Sequence, residues 1–247
     1  MISLLRKINQ RLRPDRNVLS NLRPYLPLVH GRSGIEIGGP SGLYEAGSPF
    51  PLYRHLGSLD NCNFSATTVW GNHAQDFVFC SDKPAGRNII CDGSALTPVA
   101  DSSYDFVLSS HNLEHFANPV KALREWKRVL RPGGLLVVVL PFYLRTFDRH
   151  RTPTPVAHMI EDFERNIGED DLTHLPEILE KHDLSLDPGA GTRDQFHRRS
   201  LDNFHNRCLH HHVFDLHNSR ELLEAAGFSV FAVETDKSIS LFVLARA

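Results

Sequence analysis

Three consecutive histidines, His210, His211 and His212, stand in the stretch RCLHHHVFDLHNSRELL. Imidazole titrates near neutral pH, so it serves as a general base or, when neutral, as a metal ligand. If LHHHVF is extended, successive side chains alternate, and His210 and His212 face one way while His211 faces the other. The triplet by itself therefore cannot close a three-ligand metal site, and no HxH or HExxH spacing occurs outside it. Zinc wants convergent His or Cys, and magnesium prefers carboxylates. No metal is expected on this evidence. Two further histidines could do chemistry. His111 follows the apolar run FVL, and His150 stands beside Asp148, a carboxylate able to orient a neighbouring imidazole. Arg151 adds a group suited to phosphate or carboxylate.

The chain has to supply elements that position these groups. Its 247 residues are 41% hydrophobic and 23% charged, with a formal net charge of -2, which fits one sizeable domain carrying an insertion. That charge gives no ground for a nucleic-acid partner. Residues 1–32 form a basic arm with Arg6, Lys7, Arg11, Arg13 and Arg16 along an expected amphipathic helix. Such an arm allows peripheral contact with a membrane surface. No apolar run is long enough for a transmembrane helix, and MISLLRKINQRLRP lacks the features of a signal peptide. Cys62, Cys80, Cys91 and Cys208 show no CxxC spacing, which suggests reduced thiols and a cytoplasmic location.

SGIEIGG, RNIICDGSAL, SYDFVLSSHNLEH and GGLLVVVLP read as buried strands. Apolar runs of this kind mark the centre of parallel sheets covered on both faces. Asn118-Pro119 opens a helix, with Val120, Leu123, Trp126 and Leu130 at helical spacing and RPGG as its stop. Asn218 with Glu221 reads as a capping box for a second helix ending at Gly227, followed by two strands joined by TDKS. Alternating strands and helices predict an α/β doubly wound, mostly parallel sheet. Residues 142–216 do not fit the alternation. They are rich in Arg, His and Asp, are too long for a plain loop, and should form a lid with helices of its own over the carboxyl ends of the strands.

Four motifs in residues 33–141 resemble class I S-adenosylmethionine-dependent methyltransferases of the small-molecule type: EIGGPSG (36–42), the acid in LGSLDNCNFS, CDGSAL (91–96) and SYDFVLSSHNLEHFANPVKALREWKRVLRPGG. The pattern is also similar to methyltransferases of bacterial surface-polysaccharide biosynthesis. The resemblance implies a Rossmann-like, seven-stranded sheet with an antiparallel C-terminal strand. It divides the chain into the arm (1–32), a cofactor-binding half (33–141), the substrate lid (142–216) and a C-terminal helix and hairpin (217–247). It implies S-adenosylmethionine as cofactor. Glu36, Gly38, Gly39 and Pro40 would lie at its methionine end, although Pro40 replaces the family's middle glycine. Asp60 would bind the ribose, Asp92 and Gly93 the adenine, and Ser109 would stand at the pocket mouth. GxGxxG is absent, which argues against a nicotinamide cofactor.

Methyl transfer to a hydroxyl needs a base, so the expected catalytic groups are His111, His150 and His212, with Asp148, Arg151 and His210 on the acceptor. A polar lid suits a sugar, sugar-nucleotide or surface-glycan hydroxyl. Two other functions also fit: an N- or carboxyl-methyltransferase on a small metabolite, which needs no base, and a non-catalytic S-adenosylmethionine-binding module. His115, His174 and His182 are expected to be structural.

Overall fold

The computed structural model describes residues 18–73, 76–236 and 238–247. Of the basic helical arm expected over residues 1–32, residues 1–17 lie outside them. The sheet has eight strands in the order β5-β6-β2-β1-β7-β8-β10-β9. Its parallel core consists of β1 (Ser33–Ile37), β2 (Ser58–Asn63), β6 (Gly86–Ile90), β7 (Tyr104–Ser110) and β8 (Leu130–Pro141). β10 (Ser240–Arg246) runs antiparallel to β8 and to β9 (Ser229–Thr235), as the short connection required. The strand beyond the seven expected is the two-residue edge β5 (Asp76–Phe77), antiparallel to β6. A separate hairpin, β3 (Thr67–Thr68) with β4 (Gly71–Asn72), follows β2.

Alternation along β8 explains its position. Leu136, Val138 and Leu140 enter one apolar cluster, while Leu135, Val137 and Val139 enter the cluster on the opposite face. Both sets are buried, so the strand must be central. The first face is covered by helices. α1 (Pro119–Val129) begins as its sequence predicts, with the Asn118 side chain accepting from Lys121 N at 3.0 Å and Pro119 in the first turn. Val120, Leu123 and Trp126 form its buried stripe. The opposite face carries short 3-10 turns and loop, with Leu22, Leu26, Val29, Tyr44, Phe50, Leu52, Tyr53 and Leu56 packed on the sheet. Pro40, Pro49 and Pro51 with five glycines keep the segment between β1 and β2 from forming a regular helix.

The insertion contains α2 (Val156–Glu164), α3 (Leu175–Lys181), α4 (Arg193–Leu201) and the short α5 (Asn203–Asn206). Leu175, Ile178, Ala190, Phe196 and Leu209 give it a small apolar cluster of its own. The chain then enters α6 (Leu216–Ala225), one turn earlier than expected. Asp215 is the cap: its carboxylate accepts from His217 N and Asn218 N, both at 2.8 Å. Asn218 is instead the reciprocal partner, accepting from Asp215 N at 2.8 Å. A carboxylate serves better at the positive end of a helix than a neutral amide, which explains the shift.

Candidate functional site

A cavity of about 700 Å³ opens at the carboxyl ends of the parallel strands. That is where open α/β sheets hold ligands, and the size suits a small molecule. Its floor is the turn after β1: Gly38, Gly39, Pro40, Ser41 and Gly42. Gly38 has φ +83°, and an added Cβ there would lie 2.8 Å from Asn112 Cγ. A Cβ on Gly39 would meet the Glu36 carboxyl at 2.4 Å. Both positions need the absent side chain.

Glu36 holds this turn from beneath. It is buried, accepts from Tyr53 Oη at 2.6 Å and from Ser41 N at 3.1 Å, and does not line the cavity. Burial pushes its carboxyl up to about 8, against the lowering effect of the Tyr53 and Ser41 hydrogen bonds. The folded state therefore takes up a proton that the unfolded chain releases near 4.5. Stability contributed by this group is full below about 4.5 and is lost as pH rises toward about 8. A neutral isostere should escape the dependence. Glu36→Gln is expected to fold with a flatter pH profile over that interval, read from urea midpoints. A profile as steep as that of the parent would show that another group is responsible.

Other strand ends build the walls. Asn63 ends β2, donating from Nδ2 to Gly39 O at 3.3 Å and meeting His73 Nδ1 at 3.0 Å. Asp92 and Gly93 follow β6 and line the cavity. Asp92 Oδ1 accepts from Ser94 N at 2.8 Å, and Oδ2 lies 3.5 Å from the Arg207 guanidinium. The buried indole of Trp126 donates to Gly93 O at 2.8 Å, tying this shelf to α1. Ser110, the last residue of β7, and His111, Asn112 and His115 beyond it form the far wall. The lid adds Glu169 and Arg207, which pair at 3.0 Å, and the β3–β4 hairpin adds Trp70, 60% exposed at the rim.

His111 is the one expected catalytic histidine that lines the cavity. Its φ of 48° is rare for a residue with a Cβ and marks local strain at a site. Nε2 lies 3.3 Å from Ser240 Oγ, itself on the cavity, and Nδ1 lies 4.0 Å from Glu114 Oε1. Burial, helped by the nearby His210, lowers its pKa to about 4, so the ring is neutral at pH 7. Glu114 is buried behind it with no hydrogen bond to either carboxylate oxygen, and burial raises it to about 7. Its Oε1 stands within 4.0 Å of nitrogens of His111, His115 and His210.

Several expectations are corrected. Asp60 is in mid-strand and does not line the cavity. Its carboxylate is taken up by Arg87, through N at 2.8 Å and Nη2 at 2.7 Å, and by Tyr104 Oη at 2.8 Å. Asn63, at the strand's end, occupies the wall instead. Ser109 is buried under the sheet end, where its carbonyl accepts from Tyr44 Oη, and Ser110 faces the cavity. His150 is exposed beside Asp183, away from the cavity. His212 is buried against Ala117 O at 3.2 Å, also away from it. Asp148, Arg151 and His210 form a buried knot rather than an acceptor surface. Asp148 meets His210 Nδ1 at 2.6 Å and Arg151 Nη1 at 2.9 Å, and Arg151 also donates to His210 O and His211 O.

The alternation expected of the triplet fails, because residues 208–213 are irregular and bend at His212. His210 turns toward His115, whereas His211 and His212 both approach His174. His115, expected to be structural, lines the cavity. Its Nδ1 must donate to Leu209 O at 3.0 Å, which leaves Nε2 as the free lone pair. Sequence reasoning missed Asn63, Trp70, Glu169 and Arg207. The adjacency of Asn63 to the β2 terminus was a readable signal, but the lid residues had none.

Residues 64–138 match the methyltransferase domain family. The chain is 42% identical over 122 residues to an uncharacterised methyltransferase of Mycobacterium sp. (strain KMS), covering 49% of this chain and 44% of that one. It is 33% identical over 120 residues to another from Mycobacterium avium (strain 104), again covering 49% and 44%. The match thus spans less than half the length of either relative. Among solved structures, an S-adenosylmethionine-dependent methyltransferase from Mesorhizobium loti aligns with a TM-score of 0.53 at 17% identity, covering 92% of this chain and 96% of that one. One from Methanosarcina mazei gives 0.50 at 15%, covering 93% and 98%. These structural likenesses concern the fold.

Proposed function

We propose that the chain is a class I S-adenosylmethionine-dependent methyltransferase that methylates a hydroxyl of a polar acceptor, with His111 as general base. The observation that carries this reading is one shared space. The side-chain-free turn after β1, the Asp92–Gly93 shelf and the His111–His115 wall all open on the same cavity.

The residues present fit the cofactor. A cradle that a Cβ at Gly38 would close is what a methionine moiety needs for close backbone approach. Asp92 suits an exocyclic amine, and Asn63 can donate to or accept from ribose hydroxyls. Bound S-adenosylmethionine supplies a methyl group on a sulfonium, already activated for in-line displacement. The chain's own work is alignment, exclusion of water and proton removal. His111 is neutral at pH 7, so Nε2 can accept the hydroxyl proton. Glu114, behind Nδ1, then faces the charged ring, and apo distances of this kind tighten in a complex.

The acceptor we favour is a sugar, a sugar-nucleotide or a surface glycan, met in the cytoplasm. Trp70 offers an exposed apolar plate at the rim, and Arg207, Glu169 and His73 offer polar partners around it. Among the described residues no helix is long and apolar enough to cross a membrane.

Calorimetric titration with S-adenosylmethionine tests the first half of the proposal. Saturable binding to the full chain is expected, and no binding would remove the reading. Gly38→Ala should weaken that binding about tenfold or more, because its Cβ both strains the turn and fills the cradle. Unchanged affinity in a folded Gly38→Ala protein would place the cofactor elsewhere.

A further inference from the structure

Four residues of the insertion converge away from the cavity. His158 and Asp162 lie one turn apart on α2, His174 precedes α3, and His212 lies on the return segment. One ligand atom from each lies within 4.8 Å of all the others. The individual separations are tighter. His158 Nε2 is 3.1 Å from His174 Nε2 and 3.5 Å from Asp162 Oδ2, while His212 Nε2 donates to Ala117 O at 3.2 Å, which leaves Nδ1 as the lone pair His212 offers.

We propose that His158, Asp162, His174 and His212 form a structural zinc site that pins the lid to the core. Ligands about 2.0–2.1 Å from a tetrahedral zinc stand about 3.3 Å apart, and the observed spacings bracket that value. Three imidazoles and one carboxylate use all four positions, the closed arrangement of a structural site. Two buried polar atoms of the cluster lack a hydrogen-bond partner. Asp162 Oδ2 and His212 Nδ1 have no hydrogen bond, although both side chains are more than nine-tenths buried. An unpaired buried carboxylate oxygen is costly, and a cation would relieve the cost.

His158 is 37% exposed, which gives the ion a way in. Its consequence is mechanical. The site joins α2, the start of α3 and the return segment, and His212 also meets Ala117 O at the head of α1. No local motif announces it, because the ligands are spread from residue 158 to residue 212.

The test uses the full chain without a histidine tag. Elemental analysis should give one zinc per chain, or the stripped protein should take up one equivalent with a rise in Tm. Cobalt(II) in its place should show the intense visible bands of tetrahedral coordination. His158→Ala, at the most exposed ligand, should lower zinc affinity at least about 100-fold, more than loss of an outer partner costs. His115→Ala, in the separate Glu114–His115–His210 cluster, should leave zinc uptake unchanged. A chain with neither zinc nor saturable uptake overturns the proposal. So does uptake retained by the His158→Ala, His174→Ala double variant, a faint octahedral cobalt spectrum, or zinc lost with His115 instead.

Discussion

His111→Asn should lower turnover by about 10²- to 10⁴-fold, the range lost when a positioned base is removed. Asparagine is the informative replacement. It tolerates the left-handed backbone that His111 adopts, so the turn survives while the base is lost. Because the effect is on proton removal, kcat should fall while S-adenosylmethionine affinity stays within about twofold. The pH profile gives an independent reading. The base must be unprotonated, and burial holds His111 near 4, so kcat/KM should be flat through neutrality and decline only as pH falls toward about 4. His150→Ala should leave turnover unchanged, since His150 is exposed beside Asp183. Full turnover in His111→Asn would remove the general base and favour an acceptor that needs none.

Asp148→Ala should cost about 3–5 kcal/mol of stability, read from urea unfolding, the range for breaking a buried pair from one side. The change would leave Arg151, whose side chain is 1% exposed, and His210, 9% exposed, without their shared counter-charge. Burial opposes ionisation of Asp148, but the His210 charge and hydrogen bond and then Arg151 outweigh it, holding the carboxyl at about 2. Burial likewise lowers His210, yet Asp148 raises it above its ordinary value. The signs are opposite. The Asp148 contribution is present above about 3.8 and lost as pH falls toward about 2. The His210 contribution is full below about 6.5 and lost as pH rises through the raised value. The parent should therefore be most stable between those limits, and Asp148→Ala should lose that maximum. A variant within about 1 kcal/mol of the parent would show that the knot contributes little.

The two variants separate what the sequence made legible from what it did not. β8, α1 and the turn after β1 are local patterns: an apolar run, an Asn-Pro start, glycines after a strand. Periodicity and capping reach such features, and His111 followed from its place after β7. The knot and the rim of the lid did not follow. Asp148 meets His210 across the whole insertion, and Arg207 reaches Asp92 from the other side of the cavity. Pairings of that kind depend on how helices pack, not on spacing along the chain. The triplet failed for a related reason: alternation was assumed where no strand forms, so His210 and His212 part company. Asp60 failed by position within its strand, since an acid three residues before the strand end faces Arg87 and Tyr104 instead of the cavity.

β1 lies at the centre of the sheet, and its partner β7 arrives much later in the chain, with Ile35 opposite Val107. The glycine turn hangs from β1 and His111 from β7, so neither wall of the cavity has a neighbour until that pairing closes. The stretch that matches the methyltransferase domain begins at residue 64, after both β1 and β2. Expressed alone, it would present β7 with a bare edge where β1 belongs, an apolar strand open to pairing with other copies. The recognisable part of this protein is therefore not its separable part: the smallest piece that can hold a ligand has to start upstream of Ser33.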